Sequence, residues 1–213
     1  MCADRCGRRM VTLGFTNQTV PEGQHICYLF NDDAERQDVI CRFMESGLSA
    51  KEKVIYVVDT MTPEELASDL ESLGVNLRSH GDALTLANAS SVYCPTGWFD
   101  RGTMLDRVRD EYLQGIEEDY AGVRGASEMS WCLDGGCFEE SSLMEYEAEL
   151  NNLVEYYPMT LCCQYDTRRF DGNMIMNMLA IHPVIIVKGQ LVKNPCYLGP
   201  EQFLREYRAR AIG

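Results

Sequence analysis

The sequence predicts an α/β fold of three layers, with a mainly parallel sheet covered by helices on both faces. Three observations predict it. Short apolar runs rich in β-branched residues, such as "KVIYVVD" at 53–59, alternate along the chain with longer amphipathic stretches. The short runs have the composition of strands buried on both faces. The longer stretches can serve as the helical crossovers that parallel strands require.

Each element follows in order. "HICYLF" (25–30) is a first strand, and the polar turn Asn31-Asp32-Asp33 leads into the helix "ERQDVICRFMESGL", where Val39, Ile40, Phe43 and Met44 form the apolar stripe. "KVIYVVD" is the second strand. "TPEELASDLESLG" (62–74) carries helix punctuation: Thr62 caps, Pro63 suits the first turn, Glu65 completes a capping box and Gly74 ends the helix. "ALTLANAS" (83–90) is a short strand, residues 100–120 a long amphipathic helix, and "GVRGASEM" (122–129) a strand with a polar end. A helix over 139–158 stops at Pro158, and "MTLCCQYD" (159–166) is a buried strand ending in Asp166. A methionine-rich helix (172–183) precedes a strand pair over 184–194 that turns at Lys188-Gly189. In the C-terminal "LREYRARA", the cations of Arg205, Arg208 and Arg210 favour the negative end of a helix dipole.

Composition narrows the function. A chain of 213 residues with 46% apolar and 24% charged residues supports one sizeable core. A net charge of -14 repels phosphate backbones, so no direct nucleic-acid partner is expected. No apolar run approaches the ~20 residues of a membrane span, and the N-terminus lacks a signal-peptide hydrophobic region. The expected setting is cytoplasmic, with the ten cysteines as reduced thiols rather than a disulfide frame.

Five segments, "PEGQHICYLFNDDAE", "SEMSW", "EYEAELNNL", "LCCQYD" and "IHPVIIVKGQLVKNPCY", occur in that order over roughly residues 15 to 205. Together they closely resemble the MEDS domain, the methanogen/methylotroph sensory domain of DcmR-type regulators. The resemblance implies a RecA-like/Rossmann-like sheet related to KaiC-type ATPases. It also implies sensing of small hydrocarbon derivatives. Residues 1–14 then form an N-terminal extension and 15–213 a single sensory domain. With no room left for an output domain, a stand-alone sensor with a signalling or regulatory protein partner is expected, and a homodimer is possible.

The same resemblance sharpens the reading of the first junction. In the ATPase relatives a "P-x-G" segment leads into the first core strand and a glycine-rich phosphate loop. Here Pro21-Glu22-Gly23 leads into "HICYLF", but the turn is "NDDAE", with neither the glycines nor the lysine that phosphate binding uses. The phosphate loop is read as lost, and with it ATP hydrolysis.

The site residues are expected over the carboxyl ends of the strands. His25 and Cys27 share one strand face. Imidazole and thiolate both bind transition metals, with Cys163 or His182 as possible further ligands. Structural alternatives are a hydrogen-bonded histidine and a cysteine packed as a small hydrophobe. Asp33 and Glu35 offer either a helix cap or acceptors for a polar or cationic ligand. Glu128 and Trp131 offer an acid beside an aromatic wall, or a buried indole with a satisfied N–H. Tyr165 and Asp166 close the next strand end. Adjacent Cys162 and Cys163 must point to opposite faces. Cys132 and Cys137, flanking "LDGG", and Cys2 and Cys6 are weak metal signals. Met174, Met176 and Met178 read as helix core.

The expected function is a non-enzymatic sensor of a small methylated or hydrocarbon-derived compound. Its site is His25, Cys27, Asp33, Glu35, Glu128, Trp131, Tyr165 and Asp166. The alternatives are a metal-, haem- or corrinoid-linked sensor of one-carbon metabolism and a residual nucleotide-binding enzyme.

Overall fold

Two short strands, β1 (Met10–Thr12) and β2 (Thr19–Pro21), pair antiparallel ahead of the first predicted strand. The computed structural model describes residues 7–72, 80–133 and 136–211. Val11 and Leu13 are buried. Arg8 donates to the carbonyls of Val154 and Glu155, while Arg9 reaches Glu22 and Glu52. The segment set apart as an extension at 1–14 therefore joins the domain from residue 7. A three-residue strand is too short to show a period. The Cys2 and Cys6 pair lies outside the described residues.

The main sheet holds β3 (His25–Phe30), β4 (Lys53–Val58), β5 (Leu84–Asn88), β6 (Val123–Glu128), β7 (Thr160–Asp166), β8 (Val184–Val187) and β9 (Gln190–Lys193). Their order is β5-β4-β6-β7-β3-β8-β9. Every neighbouring pair is parallel except the β8–β9 hairpin, which turns at Lys188-Gly189 as predicted. The predicted strand over 83–90 stops at Asn88, because the Asn88 side chain accepts from the Ser90 amide and caps a short helix, α3 (Ala89–Tyr93).

The crossovers are α1 (Asp33–Ser49), α2 (Pro63–Ser72), α4 (Arg101–Glu117), α5 (Glu140–Tyr156) and α6 (Gly172–Ile181), with α7 (Pro200–Ala211) closing the described chain. Thr62 and Glu65 make the capping box at the start of α2. The Gly74 stop lies outside the described residues. No helix among the described residues is long and apolar enough to cross a membrane.

The two faces of the sheet bury separate cores. Ile26, Tyr28, Tyr56 and Cys162 pack with Val39, Phe43, Met44, Leu66 and Leu70 of α1 and α2. Cys27, Cys163 and Tyr165 pack with Met104, Leu143, Tyr146, Leu150 and Met178 of the helices on the other face. Cys162 and Cys163 thus point to opposite faces, as a strand requires.

A fully buried arginine ties the first core to the N-terminal hairpin. Arg124 donates to Glu52 at 2.6 Å, to the Phe43 carbonyl at 2.7 Å and to the Thr12 carbonyl at 3.0 Å. Gly47 of α1 makes room for it, since a Cβ there would lie 2.8 Å from Arg124 Nε. Breaking a buried ion pair costs roughly 3–5 kcal/mol. Arg124→Met should lower stability by that order in denaturant unfolding. A loss below about 1 kcal/mol, the worth of a surface pair, would contradict this role.

Candidate functional site

The strand ends hold a cleft lined by Phe30, Asp33, Arg36, Glu128, Asp166 and Arg168. The β3–α1 turn is capped by Asp32, whose side chain accepts from the Glu35 amide at 2.9 Å. The cap is therefore Asp32 rather than Asp33 or Glu35. Glu35 instead accepts from the Tyr28 hydroxyl at 3.3 Å. Arg168 grips both Asp33 and Asp166, each at 2.6–2.8 Å. Its hydrogen bonds hold both carboxyls below their ordinary pKa values.

Glu128 is more deeply committed. Its Oε1 accepts from Arg36 at 2.6 Å and Tyr56 at 2.9 Å. Its Oε2 accepts from the Asp59 amide at 2.9 Å and from the Thr60 amide and hydroxyl at 2.7 and 2.8 Å. Burial alone would raise the Glu128 pKa, but Arg36 and these amides outweigh it and hold the carboxyl below its ordinary range. The acids of this strand end are therefore engaged within the chain: Asp33 and Asp166 by Arg168, Glu128 by Arg36 and the loop after β4, and Glu35 by the Tyr28 hydroxyl. Arg36 and Arg168 escaped the sequence reading, because they arrive 92 and 135 positions from the acids they meet.

Trp131 also leaves this cleft. Glu128 lies on the α1 face of the sheet, while Trp131 sits in the opposite core. It stacks on Tyr93 at 4.5 Å between ring centroids and meets Phe99 and Phe138. Its indole N–H has no hydrogen-bond partner among the described residues, contrary to the satisfied N–H that burial leads one to expect.

The second concentration of chemistry lies beneath the sheet, at the start of β3 rather than at its carboxyl end. His25 of β3, Cys163 of β7, Glu147 of α5 and His182, the residue after α6, are all buried. Their ligand atoms lie within 4.8 Å of one another. His25 Nε2 and His182 Nε2 stand 3.2 and 3.4 Å from Glu147 Oε2, and Cys163 Sγ stands 3.6 Å from His25 Nε2. Burial, reinforced by His182, pushes the His25 pKa down to about 4. Burial pushes the Cys163 thiol well above its ordinary value.

Three of these residues were candidates from their types alone. Glu147 was not, although it lies within the quoted "EYEAELNNL"; there it reads as one acid among several on a helix. Cys27 is level with Cys163 across the β3–β7 pair and is packed in the core, its thiol raised by burial. Tyr165 lies on the same face, with its buried hydroxyl unpartnered among the described residues. The eight expected residues therefore divide between the strand end, the aromatic core and this buried layer.

Beside the cluster, and sharing Cys163 with it, runs a mostly apolar cleft of about 80 Å³ between the sheet and helices α4 and α5. Val57, Tyr93, Met104, Tyr146 and Leu161 help line it. Among the described residues no other cysteine joins this group: Cys137 faces Cys94, with sulfurs 2.9 Å apart, and Cys132 donates to the Met129 carbonyl. Of the methionines on α6, Met178 is buried while Met176 is exposed.

The model of the MEDS family, "MEthanogen/methylotroph, DcmR Sensory domain", matches residues 24–183. The transcriptional repressor DcmR of Methylorubrum extorquens is 24% identical over 159 residues, which cover 74% of this chain and 57% of that protein. The chain thus spans little more than half the length of this relative. Two solved structures share the RecA/KaiC-like fold. Flagellar accessory protein FlaH of Methanocaldococcus jannaschii has a TM-score of 0.56 at 13% identity, over 87% of this chain and 84% of that one. A KaiC-like protein of Pyrococcus horikoshii OT3 has a TM-score of 0.59 at 11% identity, over 84% and 80%.

The Glu128 network predicts a pH dependence. Its folded pKa is depressed, so its stabilisation is full above the unfolded value of about 4.3 and is lost as pH falls through the folded pKa. Glu128→Gln should lose about 1.5–3 kcal/mol or more near neutrality, the worth of hydrogen bonds to a charged group. The gap between wild type and variant should narrow below about pH 4.3. Urea unfolding of both proteins across the acid range measures it. A gap that is constant with pH would contradict the assignment.

Proposed function

The chain belongs to the MEDS family of sensory domains, and from that premise we propose that it is a non-enzymatic sensor of a small, largely apolar organic molecule held in the cleft beneath the sheet. The observation that carries this reading is the size and lining of the cleft. An apolar cavity of about 150 Å³ takes a benzene. A cleft of about 80 Å³ therefore suits a methylated compound of a few heavy atoms and is far too small for a nucleotide. Met104 and Met159 supply adaptable apolar walls. Ser127 and Tyr93 place two hydroxyls there, bonded to each other at 2.7 Å.

The first junction argues in the same direction. The amides at the start of α1, which hold phosphate in nucleotide-binding relatives of this architecture, face the Asp32 side chain and a first turn carrying Asp33 and Glu35. Signalling follows if the ligand favours one packing of α4 and α5 against the sheet. A regulatory protein partner, in place of direct nucleic-acid contact, would read that change, since the net charge of -14 opposes phosphate backbones. Self-association of the domain is a compatible arrangement.

Melting curves and native mass spectrometry with methanol, methylamines, dimethyl sulfide and short halocarbons test the proposal. A ligand at a hundred times its Kd adds about 2.7 kcal/mol, or roughly 5–10 °C in Tm for a chain of this size. Ala87→Leu, which fills the cleft from β5, should keep the fold and abolish both the shift and the mass adduct. Shifts that survive Ala87→Leu would place the ligand elsewhere, and no shift with any of these compounds would contradict the proposed ligand class.

A further inference from the structure

We propose that His25, Glu147, Cys163 and His182 bind one divalent transition-metal ion of the zinc class in tetrahedral geometry. The separations support an ion between them. With metal–nitrogen and metal–oxygen bonds near 2.0–2.1 Å and a metal–sulfur bond near 2.3 Å, tetrahedral edges are about 3.3 Å for N···O and about 3.6 Å for N···S. The observed values are 3.2 and 3.4 Å for the two imidazole–carboxylate pairs and 3.6 Å for the imidazole–thiol pair.

The hydrogen-bond network explains why these atoms face one another without bonding. Asn151 donates its amide N–H groups to the carbonyls of Glu147, Ala148 and Ile181, which leaves its Oδ1 as an acceptor toward His25 Nδ1 at 3.4 Å. His182 Nδ1 lies 2.8 Å from the Met178 carbonyl, which can only accept. Both Nδ1 atoms therefore carry the proton, and in the neutral rings both Nε2 atoms present lone pairs to Glu147. Among the described residues neither Glu147 oxygen nor His182 Nε2 has an aligned hydrogen bond, despite the short separations. Lone pairs and a carboxylate converging on one buried point repel one another, and one metal ion between them would satisfy all of them at once. The Asn151 and Met178 contacts match the outer-shell bonds that fix metal-ligating imidazoles.

The donor set selects the ion. Two imidazoles, a thiolate and one carboxylate suit zinc, cobalt(II) or iron(II) better than calcium or magnesium. Cys163 loses its proton to solvent when the metal–sulfur bond forms. Donors converging from β3, β7, α5 and the end of α6 leave space for an ion and not for a tetrapyrrole, so the haem and corrinoid options do not fit this cluster. Cys27 is outside the converging set. Because Cys163 also lines the apolar cleft, the ion would stand beside the bound organic molecule. The metal site is nevertheless argued independently of that molecule.

The test is a cobalt(II) titration of chelator-treated protein under anaerobic conditions, with no organic ligand present. The proposal expects one equivalent bound, a near-ultraviolet thiolate-to-cobalt band and the intense visible bands of a tetrahedral ion, with zinc displacing cobalt. Cys163→Ser should lose the near-ultraviolet band. Asn151→Ala, which leaves all four donors in place, should bind cobalt about 10–100-fold more weakly. Circular dichroism confirms the fold of each variant, and if Cys163→Ser does not fold, the wild-type spectrum and Asn151→Ala decide. Folded wild-type protein that takes up neither cobalt nor zinc at 100-micromolar order, or that shows octahedral cobalt without a thiolate band, overturns the proposal. The organic-ligand reading fails separately, through the melting curves.

Discussion

The burial of the Glu147 carboxylate between two imidazoles is the condition around which this domain is arranged. An ionised carboxylate transferred alone to an apolar interior is strongly disfavoured. The other buried acids among the described residues obey that rule within the chain. Glu52 is held by Arg124 and Arg9, and Glu128 by Arg36, Tyr56 and the amides after β4. Glu147 instead faces two imidazoles and a thiol. The elements that bring those groups together are the central strands β3 and β7, helix α5 over them and the end of α6. Whatever neutralises Glu147 therefore couples the middle of the sheet to the layer that also walls the apolar cleft.

The nucleotide-type junction has been put to another use. Its helix start is capped internally by Asp32; beyond the cap Asp33 is held by Arg168 and Glu35 by the Tyr28 hydroxyl, while Glu128, two strands over, is held by Arg36. This cleft is electrostatically closed on itself. Arg168 joins the turn after β3 to the turn after β7, and Glu128 pins the loop after β4. Together they brace the strand ends that in this architecture commonly hold ligand. On our reading the chemistry lies on the opposite face, under α5 and α6, where His25 opens β3 instead of ending it.

The order of strands and helices was legible because each long element carries its own period and punctuation. The β1–β2 hairpin and α3 were not, since three to five residues show no period. The site was half legible. His25, Cys163 and His182 stand out by residue type, and parallel pairing of β3 with β7 is enough to suspect that the first two meet. Glu147 does not stand out, because a glutamate between Tyr146 and Ala148 on a helix with several acids is ordinarily solvated; only its burial beneath β3 reveals it. The setting of the acidic turn is illegible for a related reason: the approach of Arg168 depends on β3 and β7 lying side by side, and neighbouring positions in a sheet are a property of tertiary packing.

The most direct measurement is a crystal structure of zinc-loaded protein, with diffraction recorded above and below the zinc absorption edge. The metal assignment predicts a single edge-dependent anomalous peak inside the sheet–α5 layer, bonded to His25 Nε2, His182 Nε2, Cys163 Sγ and a Glu147 oxygen. An anomalous peak at the strand-end cleft or on surface acids, with Glu147 hydrogen-bonded to a protonated imidazole, would contradict it.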